Sequence, residues 1–149
     1  MEKDQLISIF KKTRALQEGH FLLSSGLHSP VYFQCALVLQ YPEYNTLLCS
    51  QLTEKFVDFE FDTVIAPAIG GIIIAQEVGR LLQKRSIFCE RENGKMTLRR
   101  GFSLQKDEKV VVVEDVITTG GSVKEVIEVV RNYEAIPVAV GVLVDRSNN

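Results

Sequence analysis

The chain has 149 residues, of which 46% are hydrophobic and 24% are charged, and its formal net charge is -2. One domain of this length can bury a sizeable core, and the near-neutral charge argues against nucleic acid as the main partner, because nucleic-acid-binding domains usually carry a basic excess. The most apolar stretch, 64–75, is too short to span a membrane and holds one proline and two glycines, so no membrane partner is expected.

The three cysteines favour a reducing compartment. Cys35, Cys49 and Cys89 are widely spaced and odd in number, and no C-x-x-C pair is present. This pattern is typical of reduced thiols in a cytosolic protein rather than of a disulfide framework or a metal site. The N-terminus, MEKDQLISIF, is acidic and polar and does not resemble a signal peptide. We therefore predict a cytoplasmic location.

The first third of the chain predicts two helices separated by a hairpin-like segment. Apolar residues at helical spacing predict an amphipathic helix over 4–17. Between 20 and 34, two short apolar runs flank a serine–glycine turn, which is typical of a hairpin outside a parallel sheet. A second helix is predicted over 42–57, beginning at Pro42.

The middle of the chain predicts a strand, a glycine loop and a helix. The strand covers 61–66, the loop is PAIGG at 67–71, and the helix covers 72–83. A Gly-Gly pair at a strand end lets backbone N–H groups approach an anion closely. A tight turn with close strand–helix packing explains the same residues equally well.

A third short strand, 86–90, precedes a segment that breaks the apolar rhythm. Residues 91–101, RENGKMTLRRG, carry four cations and two glycines, which is typical of a solvated mobile loop or an exposed hairpin. A charge run is usually only a hydrated face. The alternative is a lid whose cations close over an anionic ligand.

The chain is organised around KVVVVEDVITTGGSV at 109–123. Four consecutive valines predict a strand buried on both faces, and the acids Glu114 and Asp115 follow at its carboxyl end, where open α/β sheets bind ligands. Thr118 to Ser122 are small residues placed just before a helix predicted over 120–133, a pattern typical of a phosphate cradle. The combination indicates a ligand with a sugar diol and a phosphate. An ordinary strand–turn–helix joint is the alternative.

The alternation of strands and helices, ending with a strand at 136–144, predicts an α/β fold with a parallel sheet and right-handed crossovers. Other nucleotide and catalytic motifs do not occur. The sequence contains no G-x-x-x-x-G-K-[ST], no G-x-G-x-x-G and no G-x-S-x-G. Its two histidines, His20 and His28, come without a third metal ligand.

The stretch VVVVEDVITTGGS resembles the phosphoribosyl-diphosphate (PRPP) binding motif of type I phosphoribosyltransferases. GHFLLSSGLHSP, QCALVLQYP, APAIGGIIIA, MTLRRGF and the terminal VDR look like bacterial orotate phosphoribosyltransferases, in the same order. The resemblance implies one domain over 1–149, with a central, mostly parallel sheet flanked by helices and a small N-terminal hood at about 19–40. Members of the family usually continue further and add a strand to the hood, so we expect that strand to be missing here.

The resemblance also implies a reaction. The family transfers the phosphoribosyl group of PRPP to N1 of orotate, giving orotidine 5′-monophosphate and diphosphate, in pyrimidine (UMP) biosynthesis. Mg²⁺ is the expected cofactor, held mainly by PRPP and water, with no direct ligand expected from protein side chains. The expected assembly is a homodimer whose catalytic loop reaches into the neighbouring active site. Two alternatives stay open, namely a phosphoribosyltransferase for another base and a non-catalytic PRPP-binding regulator.

Site residues follow from the match between this sequence and the family's motifs. Lys95 and Asp115 are the expected catalytic residues. The expected orotate site comprises Thr118, Arg146, Tyr32 and Phe33. The expected PRPP site comprises Arg91, Lys95, Ile69, Gly70, Glu114, Asp115, Val116, Ile117, Thr118, Thr119, Gly120, Gly121 and Ser122. The loop around residues 68–71 often carries a non-proline cis peptide in this family.

Three positions depart from the better-known members. Ser24 stands where they have a lysine, Glu92 where they have a second basic residue, and Thr97 where they have a histidine. Arg99 or Arg100 is expected to supply the missing cation.

Overall fold

The computed structural model describes residues 3–22, 26 and 28–147, and the chain divides into two compact units, 1–45 and 46–149. Ser24, the first of the departing positions, lies outside the described residues. The expectation of one domain with a hood at about 19–40 stays a prediction.

The N-terminal unit contains a helix followed by a hairpin. Helix α1 spans Lys3–Lys12, strands β1 and β2 span Leu16–Leu22 and His28–Phe33, and a short helix α2 spans Ala36–Leu39. The two strands pair in antiparallel register, as the hairpin pattern indicates. The prediction of one helix over 4–17 is wrong in its last five residues, 13–17. Arg14 adopts a left-handed φ of 58°, which ends the helix and turns the chain into β1.

Helix α3 spans Pro42–Thr53, so it lies mostly within the larger unit, and it continues as one 3₁₀ turn at Glu54–Phe56. The elements that follow in this unit alternate as predicted, with boundaries that differ by at most a few residues. They are β3 (Thr63–Pro67), α4 (Gly70–Leu82), β4 (Arg85–Glu92), β5 (Lys95–Leu98), β6 (Lys109–Ile117), α5 (Gly121–Asn132) and β7 (Ile136–Asp145).

A five-stranded sheet forms the centre of this unit, in the order β5-β4-β3-β6-β7. Strands β4, β3, β6 and β7 are parallel, and β5 pairs antiparallel with β4 at one edge. The prediction of a mostly parallel sheet flanked by helices is thus confirmed. Parallel order brings the carboxyl ends of β3 and β6 side by side, which is where ligands bind in open α/β sheets.

Helices α4 and α5 cover opposite faces of the sheet. Ile65, Val110 and Val112 belong to a buried cluster that includes the apolar side of α5. Ala66, the next residue along β3, meets Gly71 of α4 instead. Since successive side chains of a strand point to opposite faces, the valine run is buried on both sides, which explains why it does not alternate with polar residues.

The three cysteines are free and buried. Burial raises the pKa of the Cys49 and Cys89 thiols to about 12, so neither is a reactive thiolate at neutral pH. Among the described residues, no helix is long and apolar enough to cross a membrane.

Candidate active site at the carboxyl ends of β3 and β6

The glycine loop after β3 and the acid pair at the end of β6 meet in the structure. A Cβ atom built on Gly70 would lie 2.6 Å from Oδ2 of Asp115, closer than any real side-chain carbon approaches. Position 70 must therefore be glycine as long as Asp115 keeps this position. The peptide bond between Ala68 and Ile69, just before this contact, is cis, as the resemblance implies. The interpretation of Gly70–Gly71 as close packing is also confirmed, because a Cβ on Gly71 would lie 2.7 Å from Cβ of Ala66.

The two acids have different environments although they are adjacent. Glu114 is buried, with 8% of its surface exposed, and its Oε1 accepts the N–H of Asp115 at 3.2 Å. Asp115 is half-buried, and its Oδ1 accepts the N–H of Val116 at 2.9 Å. Burial, together with the neighbouring Asp115 carboxyl, raises the pKa of Glu114 to about 8. Glu114 therefore keeps its proton to a higher pH than an ordinary glutamate does.

We expect this raised pKa to make the protein's stability depend on pH. A carboxyl whose pKa rises from 4.5 to about 8 on folding binds more proton in the folded state, so the free energy of unfolding falls as the pH rises through this window. Glu114→Gln should flatten that fall and raise the free energy of unfolding by about 1–3 kcal/mol at pH 8.5.

Denaturant unfolding of both proteins at pH 5 and pH 8.5 measures the difference. Glu128→Gln, which alters an exposed glutamate of α5, is the matched control and should leave the pH profile unchanged. Equal pH profiles for wild type and Glu114→Gln would show that Glu114 titrates normally.

The loop from Thr118 to Ser122 follows β6, includes the first two residues of α5, and lines a cavity of about 200 Å³. Gly120 has a left-handed φ of 76° and precedes the first helical residue, Gly121, so the chain turns sharply into the helix. The first N–H groups of a helix have no partner within it, and they carry the positive end of the helix dipole. The cavity is lined by Arg91, Glu114, the run from Val116 to Val123, and Glu125.

Arg91 lies at the rim of this cavity and is held by a carboxylate of α5. Its Nη1 and Nη2 atoms donate to the two carboxylate oxygens of Glu125 at 2.7 and 2.8 Å. Nη1 also donates to the carbonyl of Gly94 at 3.1 Å. Arg91 thus lies at the same cavity as the small-residue loop, with its charge paired to Glu125. Glu125 was missed in the sequence, although it stands one helical turn after Ser122 and therefore on the same face of α5.

The segment predicted as a mobile loop or an exposed hairpin is a tight hairpin. Asn93 and Gly94 form a two-residue turn with φ values of 51° and 80°, the left-handed pair that asparagine and glycine favour between antiparallel strands. Lys95 is the first residue of β5 and is exposed. The cations of this segment differ in their pairing, since Lys95 has no ion pair within the described part of the chain, whereas Arg91 has one.

Both arginines that could replace a missing cation are already paired. Arg100 binds Glu90 through two hydrogen bonds of 2.7 Å, and Arg99 contacts Glu92 at 3.1 Å. Glu92, which departs from the better-known members, therefore neutralises a cation of its own hairpin. Thr97, another departure, donates to the backbone carbonyl of the neighbouring Leu98 at 3.4 Å.

The remaining predicted residues are only partly brought together. Arg146 follows β7, and its backbone N–H donates to the carbonyl of Ile117 at 2.9 Å, which places its backbone beside the start of the cradle loop. Ile69 is exposed next to Gly70. Lys95, Ile69 and Arg146 are not among the described residues that line the cavity. Tyr32 and Phe33 lie on β2 of the N-terminal unit, so their role stays a prediction.

Comparison with known proteins agrees with this arrangement. A family model described as "Phosphoribosyl transferase domain" matches residues 45–149, more than half of the chain. Orotate phosphoribosyltransferase of Desulforamulus reducens is 60% identical over 148 residues, which cover 99% of this chain and 78% of that protein. Orotate phosphoribosyltransferase of Pelotomaculum thermopropionicum is 57% identical over the same shares of the two chains.

Solved structures show the same fold at lower identity. The crystal structure of orotate phosphoribosyltransferase from Aeropyrum pernix matches with a TM-score of 0.79 at 24% identity, covering 95% of this chain and 93% of that one. An adenine phosphoribosyltransferase from Saccharomyces cerevisiae matches with a TM-score of 0.71 at 17% identity, covering 93% and 89%. The fold is thus shared by enzymes named for different bases, and the sequence relatives distinguish among them. Because relatives at 57–60% identity match nearly its whole length, the chain belongs to the orotate phosphoribosyltransferase family.

Proposed function

We propose that this chain transfers the phosphoribosyl group of PRPP to N1 of orotate, giving orotidine 5′-monophosphate and diphosphate in the pyrimidine pathway of the cytoplasm. The observation that carries the proposal is the cavity beside the cradle loop, with Glu114 in its wall and Arg91 at its rim. Membership in the orotate phosphoribosyltransferase family identifies orotate as the base. The free cysteines are consistent with the proposed cytoplasmic location, because thiols stay reduced in the cytosol.

In this proposal the loop from Thr118 to Ser122, with Val116 and Ile117 before it, binds the 5′-phosphate. Its donors are the backbone N–H groups at the start of α5 and the hydroxyls of Thr118, Thr119 and Ser122. A phosphate at a helix N-terminus is stabilised by several N–H donors and by the helix dipole. Gly120 and Gly121 let the backbone approach the phosphate closely, since neither has a side chain to obstruct it.

Glu114 and Asp115 hold the ribose hydroxyls. Because burial raises the pKa of Glu114, the pair can offer a sugar diol an O–H donor as well as carboxyl acceptors. Displacement at the anomeric carbon develops positive charge on the sugar ring, and the Asp115 carboxylate stabilises that charge. Asp115 therefore contributes to catalysis as well as to binding.

The departing diphosphate lies between the glycine loop and the cationic hairpin. Ile69 and Gly70 supply backbone contacts, while Arg91 and Lys95 supply charge. Mg²⁺ is proposed here as a substrate-bound ion, because Mg²⁺ binds readily through phosphate oxygens and water. The ion would neutralise charge on the leaving diphosphate.

Orotate requires recognition of a carboxylate and of a flat ring. Arg146 pairs with the carboxylate, a bidentate contact that lysine would make poorly. Thr118, the second proposed contact, directly follows Ile117, whose carbonyl accepts the backbone N–H of Arg146. Tyr32 and Phe33 are the proposed aromatic contacts of the base.

We propose a homodimer that shares its catalytic hairpin, because Lys95 is exposed and does not line the described cavity of its own chain. A heterodimer of Lys95→Ala and Asp115→Asn subunits would then contain one intact site, and we expect about half of the wild-type activity from it. Co-expression with two different tags isolates the mixed dimer, and the two homodimeric mutants are the controls. If each site used its own Lys95, every site would carry one lesion and the mixed dimer would stay as inactive as the mutants.

A steady-state assay with orotate, PRPP and Mg²⁺ tests the proposed reaction. We expect loss of orotate absorbance that depends on both PRPP and Mg²⁺. Turnover of uracil or a purine without turnover of orotate would indicate a transferase for another base. Binding of PRPP without turnover of any base would indicate a regulator.

A further inference from the structure

The hairpin of the N-terminal unit places the two histidines of the chain side by side. His20 lies on β1 and His28 lies on β2, eight positions further along the chain. Nε2 of His20 is 2.6 Å from Nδ1 of His28. The ring centroids are 4.7 Å apart, and the rings are nearly perpendicular, at 88°. Two imidazole nitrogens therefore face each other, and both side chains are exposed to solvent.

A β-bulge sets the direction in which His20 leaves its strand. The register of the β1–β2 ladder shifts between Glu18 and Phe21. Within this interval β1 contributes two residues, Gly19 and His20, whereas β2 contributes only Pro30. Proline cannot donate a ladder hydrogen bond and is typical of such interruptions. Bulges re-aim side chains and are found beside functional sites, so this one is a feature that a site can use.

The facing nitrogens are suited to hold either one shared proton or one metal ion. A hydrogen bond between exposed rings contributes little net stability, because each ring could bond to water instead. Metal ligation needs both facing nitrogens as lone pairs, and a neutral imidazole supplies one when its proton is on the other ring nitrogen. An imidazole nitrogen lies about 2.0–2.1 Å from Zn²⁺, so two of them in adjacent coordination positions are about 3 Å apart. A small rotation of the exposed rings gives this separation.

The chain offers little competition for an ion that prefers nitrogen ligands. His20 and His28 are its only histidines. The three cysteines are buried, and burial raises the pKa of two of these thiols to about 12. The carboxylate of Glu18, on the same strand as His20, is paired with Lys11 at 2.7 Å. Imidazole suits Cu²⁺, Ni²⁺ and Zn²⁺, whereas Mg²⁺ prefers oxygen ligands.

We propose that His20 and His28 form a chelating site for a divalent transition-metal ion, with Cu²⁺ bound more tightly than Zn²⁺ and with water in the remaining coordination positions. His20 binds through Nε2 and carries its proton on Nδ1, while His28 binds through Nδ1 and carries its proton on Nε2. The bound ion joins β1 to β2 and so stabilises the hairpin. The site uses none of the residues proposed to bind PRPP or orotate, so the inference does not rest on the proposed function.

Titration calorimetry of the whole chain with Cu²⁺ and with Zn²⁺ tests the site. We expect one ion per chain, with Cu²⁺ bound more tightly and with no competition from Mg²⁺. His20→Gln and His28→Gln should each weaken binding about 100-fold, because a single imidazole loses the advantage of the chelate. Glu43→Gln removes an exposed carboxylate of the same unit and should leave binding unchanged.

Hydrogen exchange provides a second measurement that depends on the position of the ion. Zn²⁺ should slow exchange of the backbone amides of β1 and β2 in the wild type, because an ion that binds only the paired strands stabilises that pairing. The same concentration of Zn²⁺ should leave these amides unaffected in both histidine variants. Both variants replace exposed side chains, so the circular dichroism spectrum without metal should match that of the wild type.

Three results would overturn the inference. Two ions per wild-type chain, of which each variant keeps one, would show that the imidazoles bind separately. Equal binding by the wild type and both variants would assign the ion to other groups. A wild-type chain that binds neither Cu²⁺ nor Zn²⁺ would leave the two rings with a hydrogen bond alone.

Discussion

Lys95→Ala is expected to lower kcat about 10²–10³-fold while the Kd for PRPP changes by less than about threefold, because a cation aimed at charge that develops on the leaving group acts mainly in the transition state. Lys95 stands immediately after the Asn93–Gly94 turn, on a hairpin held by the ion pair between Arg91 and Glu125. Unlike the arginines of this segment, it has no ion pair in the described part of the chain, so no neighbouring carboxylate cancels its charge.

Pre-steady-state and steady-state assays with saturating PRPP measure the change in kcat, and calorimetry measures Kd. Lys106→Ala is a suitable control, since Lys106 is an exposed lysine of the same unit that pairs with Glu134. An unchanged kcat in Lys95→Ala would show that the assignment of this hairpin as the catalytic segment is wrong.

Gly70→Ala is expected to lower kcat/KM for PRPP about 10- to 100-fold, because its methyl group would displace the Asp115 carboxylate. The built Cβ lies 2.6 Å from Oδ2 and 2.9 Å from Cγ of Asp115. The aspartate can rotate away, so the fold should survive while the acid leaves the place where it meets the sugar. Circular dichroism and the melting temperature should therefore stay close to the wild-type values.

A double-mutant comparison decides whether Gly70 acts through Asp115. In an Asp115→Ala background the steric conflict is gone, so Gly70→Ala should add little further loss. Two independent, multiplying losses would mean that Gly70 contributes through its own backbone contacts with the ligand and not by making room for Asp115.

The sheet and the cradle could be predicted from the sequence because their signals are local. A run of valines has few alternatives to a doubly buried strand, and the small residues after it mark the start of the next helix. The end of α1 could not be placed correctly, since helical spacing continued past the left-handed residue Arg14. The Asn93–Gly94 pair favours a hairpin turn, but the many charged residues around it are equally typical of a mobile loop. The sequence alone therefore left both interpretations open.

The contacts that complete the site join elements that are far apart in the sequence, so residue spacing alone does not predict them. The approach of Gly70 to Asp115 depends on β3 and β6 being neighbours, although their sequences are separated by a helix and a hairpin. The pairing of Arg91 with Glu125 depends likewise on where α5 crosses the sheet. The resemblance implied the chemistry of the site, whereas the burial of Glu114, which raises the pKa of its carboxyl, is visible only in the structure.

The central claim is that the loop from Thr118 to Ser122 holds the phosphate of PRPP. A crystal structure of the chain with PRPP and Mg²⁺ tests it most directly. We predict the 5′-phosphate within hydrogen-bonding distance of the backbone N–H groups of this loop, with the ribose hydroxyls on Glu114 and Asp115. A 5′-phosphate bound elsewhere, with the cradle filled only by solvent, would contradict the account.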